Sequence, residues 1–240
     1  MDKVEQSYWD SSYSGFDYSI ANDKVTNWLS NHVAIEQGNV FEAGCFPGRY
    51  LAWFGKRGLT VSGMDLTPRI ETDFKQWLKN NDIQIFKIGR GDVLKYMETS
   101  NDRYDLVCSF GFIEHFEDFE NVITLHCNLL KDGGQLIITT PHFKGFFQKK
   151  LHAWLDKENL ARHHLPAMDP VRWKGIVESC GLKVTWSGYF GNFDFWADRQ
   201  KRGFFGRVCL KIVQTVTPLF RWLPDSSLYS PYCGIVARKS

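Results

Sequence analysis

The stretch VFEAGCFPG, from Val40 to Gly48, joins a predicted strand to a predicted helix through a turn that contains two glycines. Val40 to Ala43 is a short apolar run with one carboxylate, and the helical segment Arg49–Arg57 follows directly. Glycine permits a sharp backbone turn and the close approach of a ligand. In α/β proteins, a strand, a glycine turn and a helix in this order form a nucleotide-binding element. The stretch therefore predicts an α/β fold with a ligand site at the turn.

Segments of strand length and helix length alternate along the chain around this turn. The other predicted strands are Leu59–Met64, Ile83–Ile88, Tyr104–Ser109, Gln135–Thr140, Leu182–Phe190 and Pro231–Arg238. Helices are predicted at Asn22–Asn31, from Thr67 onward, at Ile113–Leu130 and from Asp169 to Cys180. Strands separated by helices predict right-handed βαβ units, and hence a doubly wound, mostly parallel sheet.

Composition and charge exclude several classes of protein. The 240 residues are 43% hydrophobic, which is enough to close a core. The chain has 29 Lys and Arg and 27 Asp and Glu, so its formal net charge is only +2. This small net charge argues against a protein that coats nucleic acid. The six cysteines show no CxxC pair, so the sequence predicts reduced thiols and no metal site. With no secretory start and no apolar run of about 18 residues, we expect a cytoplasmic protein.

The turn itself indicates which kind of nucleotide it accepts. Dinucleotide-binding turns read GxGxxG, whereas Phe46 occupies the position of the middle glycine here, which disfavours a dehydrogenase. Glu42 lies just before the turn, where a carboxylate repels phosphate and attracts a cation. An adenosine-like ligand that carries positive charge fits both features. The sequence therefore predicts S-adenosylmethionine as the cofactor.

Two further carboxylates follow the next two strands. Asp65 lies 21 residues after Gly44, where an acidic side chain accepts hydrogen bonds from both ribose hydroxyls. Asp92 follows the third strand, and its carboxylate can accept from the adenine amino group while Val93 contacts the ring. Each aspartate has an alternative interpretation as the cap of a helix N-terminus.

Taken together, these motifs resemble the class I S-adenosylmethionine-dependent methyltransferases over residues 38–142. The resemblance implies a seven-stranded sheet whose last strand, Pro231–Arg238, is antiparallel. It also implies that the methionine end of the cofactor lies along Glu42, Gly44 and Gly48. The matching residues are Glu42, Gly44, Gly48, Asp65, Gly91–Val93, Asp105–Ser109 and the pair Glu114 and His115. By the same resemblance, the ribose lies at Asp65, the adenine lies at Asp92 and Val93, and Ser109 and Phe110 line the mouth where the methyl group is transferred.

The rest of the chain resembles, more loosely, the methyltransferases encoded in bacterial surface-polysaccharide gene clusters. The residues concerned are Trp9, Asp10, Pro141–Phe143 and Asn159–His163. This resemblance implies a single domain over 1–240 and a small-molecule or glycan acceptor. We expect an N-terminal arm at 1–37, a cofactor-binding core at 38–142, and insertions at 143–168 and 191–229 that cover the acceptor. Tyr8, Trp9 and Tyr13 of the arm are either a lid or an apolar anchor.

Methyl transfer to a hydroxyl needs a base as well as alignment. Histidine is favoured because its pKa lies near neutrality. His142 follows the fifth strand directly and His163 lies in the first insertion, so these two are the predicted catalytic residues. His115, His164 and Asp194 are further candidates.

Two other functions remain open at this point. A nucleic-acid (RNA) methyltransferase that acts on base amines is expected to carry an Asn/Asp-Pro-Pro loop after the fourth strand, whereas this chain reads SFGF at Ser109–Phe112. A non-catalytic scaffold that binds S-adenosylmethionine is the second alternative, and the intact residues Gly44, Gly48, Asp65 and Asp92 argue against it.

The segment 199–223 has the pattern of an amphipathic helix. Its apolar residues recur at steps of three and four, and it contains six Lys and Arg and no carboxylate. Two interpretations stay open, a lid over the acceptor between the last two strands or a helix that contacts an anionic membrane surface. Pro218 is expected to kink the helix in both cases.

Overall fold

The computed structural model describes residues 8–9, 15, 17–198 and 202–240. A seven-stranded sheet has the strand order β3-β2-β1-β4-β5-β7-β6, in which β7 runs antiparallel to both of its neighbours and the other pairs are parallel. This confirms the predicted doubly wound α/β sheet with an antiparallel last strand. The strands are β1 (Asn39–Ala43), β2 (Thr60–Asp65), β3 (Ile85–Arg90), β4 (Tyr104–Phe110), β5 (Leu130–Pro141), β6 (Leu182–Phe190) and β7 (Tyr232–Lys239).

Helices cover both faces of the sheet. They are α1 (Lys24–Leu29), α2 (Arg49–Gly55), α3 (Phe74–Asn80), α4 (Val93–Thr99), α5 (Phe119–Asn128), α6 (Phe146–Leu155), α7 (Lys157–Ala161), α8 (Pro170–Ser179) and α9 (Phe204–Val216). Single 3₁₀ turns lie at Pro68–Ile70, Ile113–His115, Leu165–Ala167 and Thr217–Phe220.

Some predicted boundaries were wrong. The helix predicted at Ile113–Leu130 is a 3₁₀ turn followed by α5, because Asp118 starts a new helix by accepting a hydrogen bond from the Asn121 N–H. The helix predicted from Thr67 is one 3₁₀ turn, and α3 begins only at Phe74. α9 ends at Val216 in a 3₁₀ turn that contains Pro218, where a continuous kinked helix was expected.

The core has two halves, one on each face of the sheet. Val40 and Leu106 pack on one face, whereas Phe41 and Val107, their neighbours in sequence, pack on the other. This follows from the period of two along a strand. Strands buried on both faces read as continuous apolar runs, as β1 and β4 do. The two layers fix the carboxyl ends of the parallel strands at one edge of the sheet.

Among the described residues, none of the helices has both the length and the apolar character needed to cross a bilayer. All six cysteines are free thiols, and four of them are buried.

Candidate active site

Two cavities of about 890 and 840 Å³ adjoin at the carboxyl edge of the sheet. Each has the size of a small-molecule site. One, here named the turn cavity, is lined by the glycine turn after β1. The other, here named the histidine cavity, is lined by residues that follow β4, by the carboxyl end of β5 and by part of the first insertion. The two share the lining residues Trp9, Arg49, Tyr50, Phe110, Gly111, His115, Trp196 and Asp198, so together they form one cleft with two ends.

The two glycines of the turn cavity are required by its backbone. Gly44 and Gly48 have φ angles of 67° and 79°, in the left-handed region that favours glycine. A Cβ at Gly44 would lie 2.5 Å from the ring of Phe112, and one at Gly48 would lie 2.1 Å from the ring of Phe74. The turn is therefore packed closely against two aromatic rings, and only glycine leaves room for this packing.

Glu42 brings a buried carboxyl group to the turn cavity. Its side chain is 4% exposed, and its Oε2 atom has no hydrogen-bond partner among the described residues. Burial, and secondarily the nearby carboxylate of Asp65, raise the pKa of Glu42 well above its ordinary value. A buried polar atom without a partner costs free energy that a bound donor recovers. The site therefore fits a ligand that carries an ammonium group, as the methionine end of S-adenosylmethionine does.

Asp65 ends β2 and stabilises the turn opposite. Its Oδ2 accepts a hydrogen bond from the Phe46 N–H at 3.1 Å, and its Oδ1 accepts one from the Thr67 N–H at 3.0 Å. A carboxylate is an acceptor of the kind that the hydroxyl groups of a ribose require. Asp65 lines the turn cavity, where the ribose contact was predicted.

Of the other predicted cofactor residues, two line the turn cavity and two do not. Val93 and Phe110 line the turn cavity. Asp92 is exposed and caps α4, because its Oδ1 accepts from the N–H groups of Leu94 and Lys95 at 2.9 and 3.2 Å. Ser109 is fully buried and is not among the described residues that line either cavity, since successive side chains of β4 point to opposite faces. The adenine contact of Asp92 stays a prediction.

The histidine cavity contains a cluster of three titratable side chains. Glu114, His115 and His163 each place a ligand atom within 4.8 Å of the others. His163 Nδ1 lies 2.6 Å from the carbonyl oxygen of Asn159, and His115 Nδ1 lies 3.4 Å from that of Arg162. With each Nδ1 directed at a carbonyl, Nε2 is the ring atom left to accept a proton or bind a cation.

Burial sets the ionisation of this cluster. Both oxygens of Glu114 lack a partner among the described residues, and burial raises the pKa of Glu114 to about 8. Burial, followed by the neighbouring imidazole of His163, lowers the pKa of His115 to about 3. Burial likewise lowers the pKa of His163 to about 4. At neutral pH the cluster is therefore a protonated carboxyl group beside two neutral imidazoles.

The cluster also has the side-chain types that bind a divalent cation. The sequence predicted no metal site, because that prediction looked for cysteines and histidines close together in the chain. His163 lies far along the chain from the pair Glu114 and His115, so the cluster does not show that spacing. The adjacent pair Glu114 and His115 after β4 was the one feature of the sequence that could have indicated this cluster.

His142 lies elsewhere. It is buried, its Nδ1 is 3.2 Å from the Ser230 carbonyl oxygen, and its ring packs against that of Tyr189. Its backbone N–H donates to the Pro231 carbonyl oxygen at 2.7 Å. His142 is not among the described residues that line the two cavities. Of the two predicted bases, His163 is therefore the one at the cleft.

Trp9 of the N-terminal arm lies where the two cavities join. The ring of Trp9 is 5.1 Å from that of His115, centroid to centroid, and Trp9 lines both cavities. The Tyr8 hydroxyl donates to Asp198 at 3.0 Å. Tyr13 lies outside the described residues.

Comparison with known proteins agrees with this geometry. A family described as "Methyltransferase domain" matches residues 6–186, about three quarters of the chain. The chain belongs to this methyltransferase family. Family membership confirms the predicted enzyme class and its cofactor, S-adenosylmethionine.

Curated relatives are similar over part of the chain. The ubiquinone biosynthesis O-methyltransferase of Pseudomonas savastanoi pv. phaseolicola is 27% identical over 116 residues, which are 48% of this chain and 49% of that protein. The corresponding enzyme of Pseudomonas entomophila is 26% identical over the same extent. The chain thus spans about half the length of the curated relatives that it matches.

Solved structures share the fold of this methyltransferase. A methyltransferase of Archaeoglobus fulgidus superposes with a TM-score of 0.57 at 17% identity, covering 90% of this chain and 91% of that one. The magnesium protoporphyrin IX methyltransferase of Synechocystis PCC 6803 has a TM-score of 0.60 at 14% identity, covering 98% and 94%. These likenesses confirm the predicted class I methyltransferase fold.

Proposed function

We propose that the protein transfers a methyl group from S-adenosylmethionine to a hydroxyl oxygen of a small-molecule or glycan acceptor. One observation carries the proposal: the turn cavity and the histidine cavity share a wall at Phe110, Gly111 and His115. A donor in one cavity and an acceptor in the other can therefore meet at this wall. Holding the two in line supplies most of what this displacement requires.

The turn cavity holds the cofactor in this proposal. The Glu42 carboxyl accepts from the ammonium group, Asp65 accepts from the ribose hydroxyls, and Val93 packs against the adenine. When bound, the cofactor supplies an electrophilic methyl group on a sulfonium, which is a good leaving group. Phe110 and Trp9 at the shared wall exclude water from the reacting atoms.

The acceptor occupies the histidine cavity, and His163 acts as its base. Nε2 of His163 takes the hydroxyl proton as the oxygen attacks the methyl carbon, while the hydrogen bond to the Asn159 carbonyl fixes the ring. Burial lowers the pKa of His163 to about 4, so the free ring is neutral at pH 7 but is a weaker base than an exposed imidazole. The similarity to O-methyltransferases supports oxygen as the methylated atom.

A two-step experiment tests this function. Calorimetry first measures the binding of S-adenosylmethionine and S-adenosylhomocysteine, and a screen of hydroxylated small molecules and nucleotide sugars then measures the uptake of labelled methyl groups. On an acceptor found in this way, His163→Gln should lower kcat by about 10²- to 10⁴-fold with little change in cofactor affinity. His142→Gln is the matched control and should retain most of the rate, because His142 lies outside the cleft.

The outcomes separate the alternatives. Methyl uptake only on RNA would overturn the proposed acceptor class in favour of a nucleic-acid methyltransferase. Tight cofactor binding without transfer to any acceptor in the panel, RNA included, would favour a non-catalytic scaffold. Equal loss in the His142 and His163 variants would exclude His163 as the specific base.

A further inference from the structure

α9 and the turn that follows it expose large apolar side chains. None of the 13 residues of α9 is buried. The most exposed apolar residues, Phe205 and Trp222, are each 78% accessible, and Phe204, Ile212 and Leu219 are also more than half exposed. Monomeric proteins rarely expose contiguous apolar patches of more than a few hundred Å² unless the patch binds something.

A second segment adds to the same exposed surface. α6 carries Phe146 and Trp154, which are both more than half exposed. Hydrogen bonds hold α6 beside the chain on either side of α9. Arg202, just before α9, donates from Nε to the Leu155 carbonyl oxygen at 2.8 Å, and the Phe147 N–H donates to the carbonyl oxygen of Leu228, after α9, at 3.0 Å. We name the exposed apolar residues of Phe146–Leu155 and Phe204–Trp222 the apolar surface.

Basic residues border the apolar surface along α9. Residues 199–224 contain six Lys and Arg and no Asp or Glu. On α9, Phe204, Val208 and Ile212 follow one another at steps of four, and the exposed residues Arg207 and Lys211 form a parallel row beside them. Lys149 and Lys150 are likewise exposed on α6.

A lid function does not account for this surface. From the described part of 191–229, Trp196 and Asp198 line the cavities, whereas no residue of α9 does. A lid would bury the apolar residues against the acceptor and would gain nothing from an uninterrupted set of cations. An apolar face bordered by cations is instead the pattern of a helix that lies in the headgroup region of an anionic bilayer.

We propose that the apolar surface docks on an anionic lipid bilayer and that the acceptor is an amphiphile held there. The aromatic side chains enter the boundary between headgroups and acyl chains, where Trp is favoured. Arg207, Lys211 and Arg221 remain at the level of the lipid phosphates. The second half of this inference, the nature of the acceptor, rests on the proposed function. Its structural basis is that Trp196 and Asp198 line the histidine cavity and come shortly before α9 in the chain.

Sedimentation of the full chain with vesicles tests the docking. We expect the protein to sediment with vesicles that contain about 30% phosphatidylglycerol in phosphatidylcholine at about 50 mM salt. Binding should fall strongly at about 500 mM salt, where exposed charges are screened, and with phosphatidylcholine alone. Absence of binding to the anionic vesicles at low salt would overturn the proposal.

Paired variants locate the contact. Arg207→Glu with Lys211→Glu should weaken partition into anionic vesicles at least tenfold, and Phe204→Ser with Phe205→Ser should do the same. Lys75→Glu with Lys79→Glu on α3 is the matched control, with the same spacing and the same change of charge, and should leave partition nearly unchanged. If the control pair weakens partition equally, the binding depends on the net charge of the protein and not on a particular surface. That result would overturn the assignment of the apolar surface. All these residues are partly or fully exposed, so thermal unfolding should show intact folds.

Measuring the cofactor separately keeps the two proposals distinguishable. If vesicle binding fails while S-adenosylhomocysteine still binds, the docking is wrong and the methyltransferase function stands. If vesicles bind and the cofactor does not, the proposed function fails and the surface stands. Self-association through the apolar surface, seen as a dimer in light scattering that the Phe204 and Phe205 variants abolish, would also overturn the lipid proposal.

Discussion

At the scale of single residues, the cleft contains buried carboxyl oxygens that lack a hydrogen-bond partner among the described residues. Glu42 and Glu114 each have a buried oxygen that no described residue satisfies, one in each cavity. Asp65 differs, because two backbone N–H groups already hold its oxygens. Unsatisfied groups of this kind destabilise the free protein, and where they line a cavity a bound donor can satisfy them.

Replacing Asp65 tests the ribose contact. Asp65→Asn removes the charge while keeping the size and one acceptor, so we expect the affinity for S-adenosylhomocysteine to fall by about 1.5–3 kcal/mol, roughly 10- to 100-fold. Asp118→Asn, a helix cap elsewhere, is the control and should bind like the parent. Calorimetry gives both constants, and unchanged affinity in a folded Asp65→Asn protein would rule out this contact.

Glu114 should make stability depend on pH. Its pKa is about 8 in the folded protein and near 4.3 when unfolded, so between these values the folded state keeps a proton that the unfolded state has lost. The free energy of unfolding should therefore fall as pH rises from about 5 to 8, by on the order of 3–5 kcal/mol. Glu114→Gln should lack this component. Urea unfolding at both pH values, without added metal, gives the difference between parent and variant, and parallel pH dependences would contradict the buried protonated carboxyl.

At the scale of elements, one buried carboxylate joins the two insertions. Asp156 is fully buried and accepts from His152 at 3.1 Å, Asn159 at 2.8 Å and Arg202 at 2.8 Å. The backbone N–H of Asp198 also donates to it at 3.2 Å. Burial alone would raise the pKa of Asp156, but the hydrogen bonds from His152 and Asn159 hold it below its ordinary value. This carboxylate thereby fixes α6 and α7 against the segment that leads into α9.

Removing this carboxylate should loosen the wall of the histidine cavity. Asp156→Ala removes the carboxylate that accepts from His152, Asn159 and Arg202 in a buried place, so we expect a loss of about 3–5 kcal/mol in the free energy of unfolding. Asp132→Ala is the control, since that side chain is 91% exposed and its ion pair with Lys239 is long at 3.9 Å. Urea unfolding measures both, and a loss below about 1 kcal/mol in Asp156→Ala would contradict the structural role.

At the scale of the whole molecule, the cleft lies across several elements that the sheet brings together. β1 and β2 supply Glu42 and Asp65, the turn after β4 supplies Glu114 and His115, and α7 leads into His163. A ligand that contacts several elements at once stabilises the folded state as a unit.

S-adenosylhomocysteine should therefore raise the melting temperature of the whole domain. At a concentration 100 times its Kd, a ligand that binds only the folded state adds about 2.7 kcal/mol, which is about 5–10 °C for a chain of this length, and adenosine is compared at that same concentration. Differential scanning calorimetry measures the shift, and adenosine, which lacks the group that Glu42 accepts, should give a smaller one. An equal shift with adenosine would remove the assigned role of Glu42.

The sequence by itself determined the sheet, the glycine turn and the positions of Glu42 and Asp65 at the carboxyl edge of the sheet. These depend on patterns a few residues long: apolar runs for buried strands, glycines where φ is positive, and carboxylates at strand ends. It placed some boundaries wrongly, as at Ile113–Leu130, because Asp118 starts a second helix within an otherwise helical pattern.

Only the tertiary structure decided how the histidine cavity is assembled. It brought His163 to the cleft and His142 against Tyr189, and it assembled Glu114, His115 and His163 from two distant segments. It also left α9 exposed. These outcomes depend on strand register and on how the insertions pack, and neither leaves a local pattern in the sequence. The direction of a side chain and the identity of its neighbours are set by contacts between residues far apart in the chain, and those exist only once it has folded.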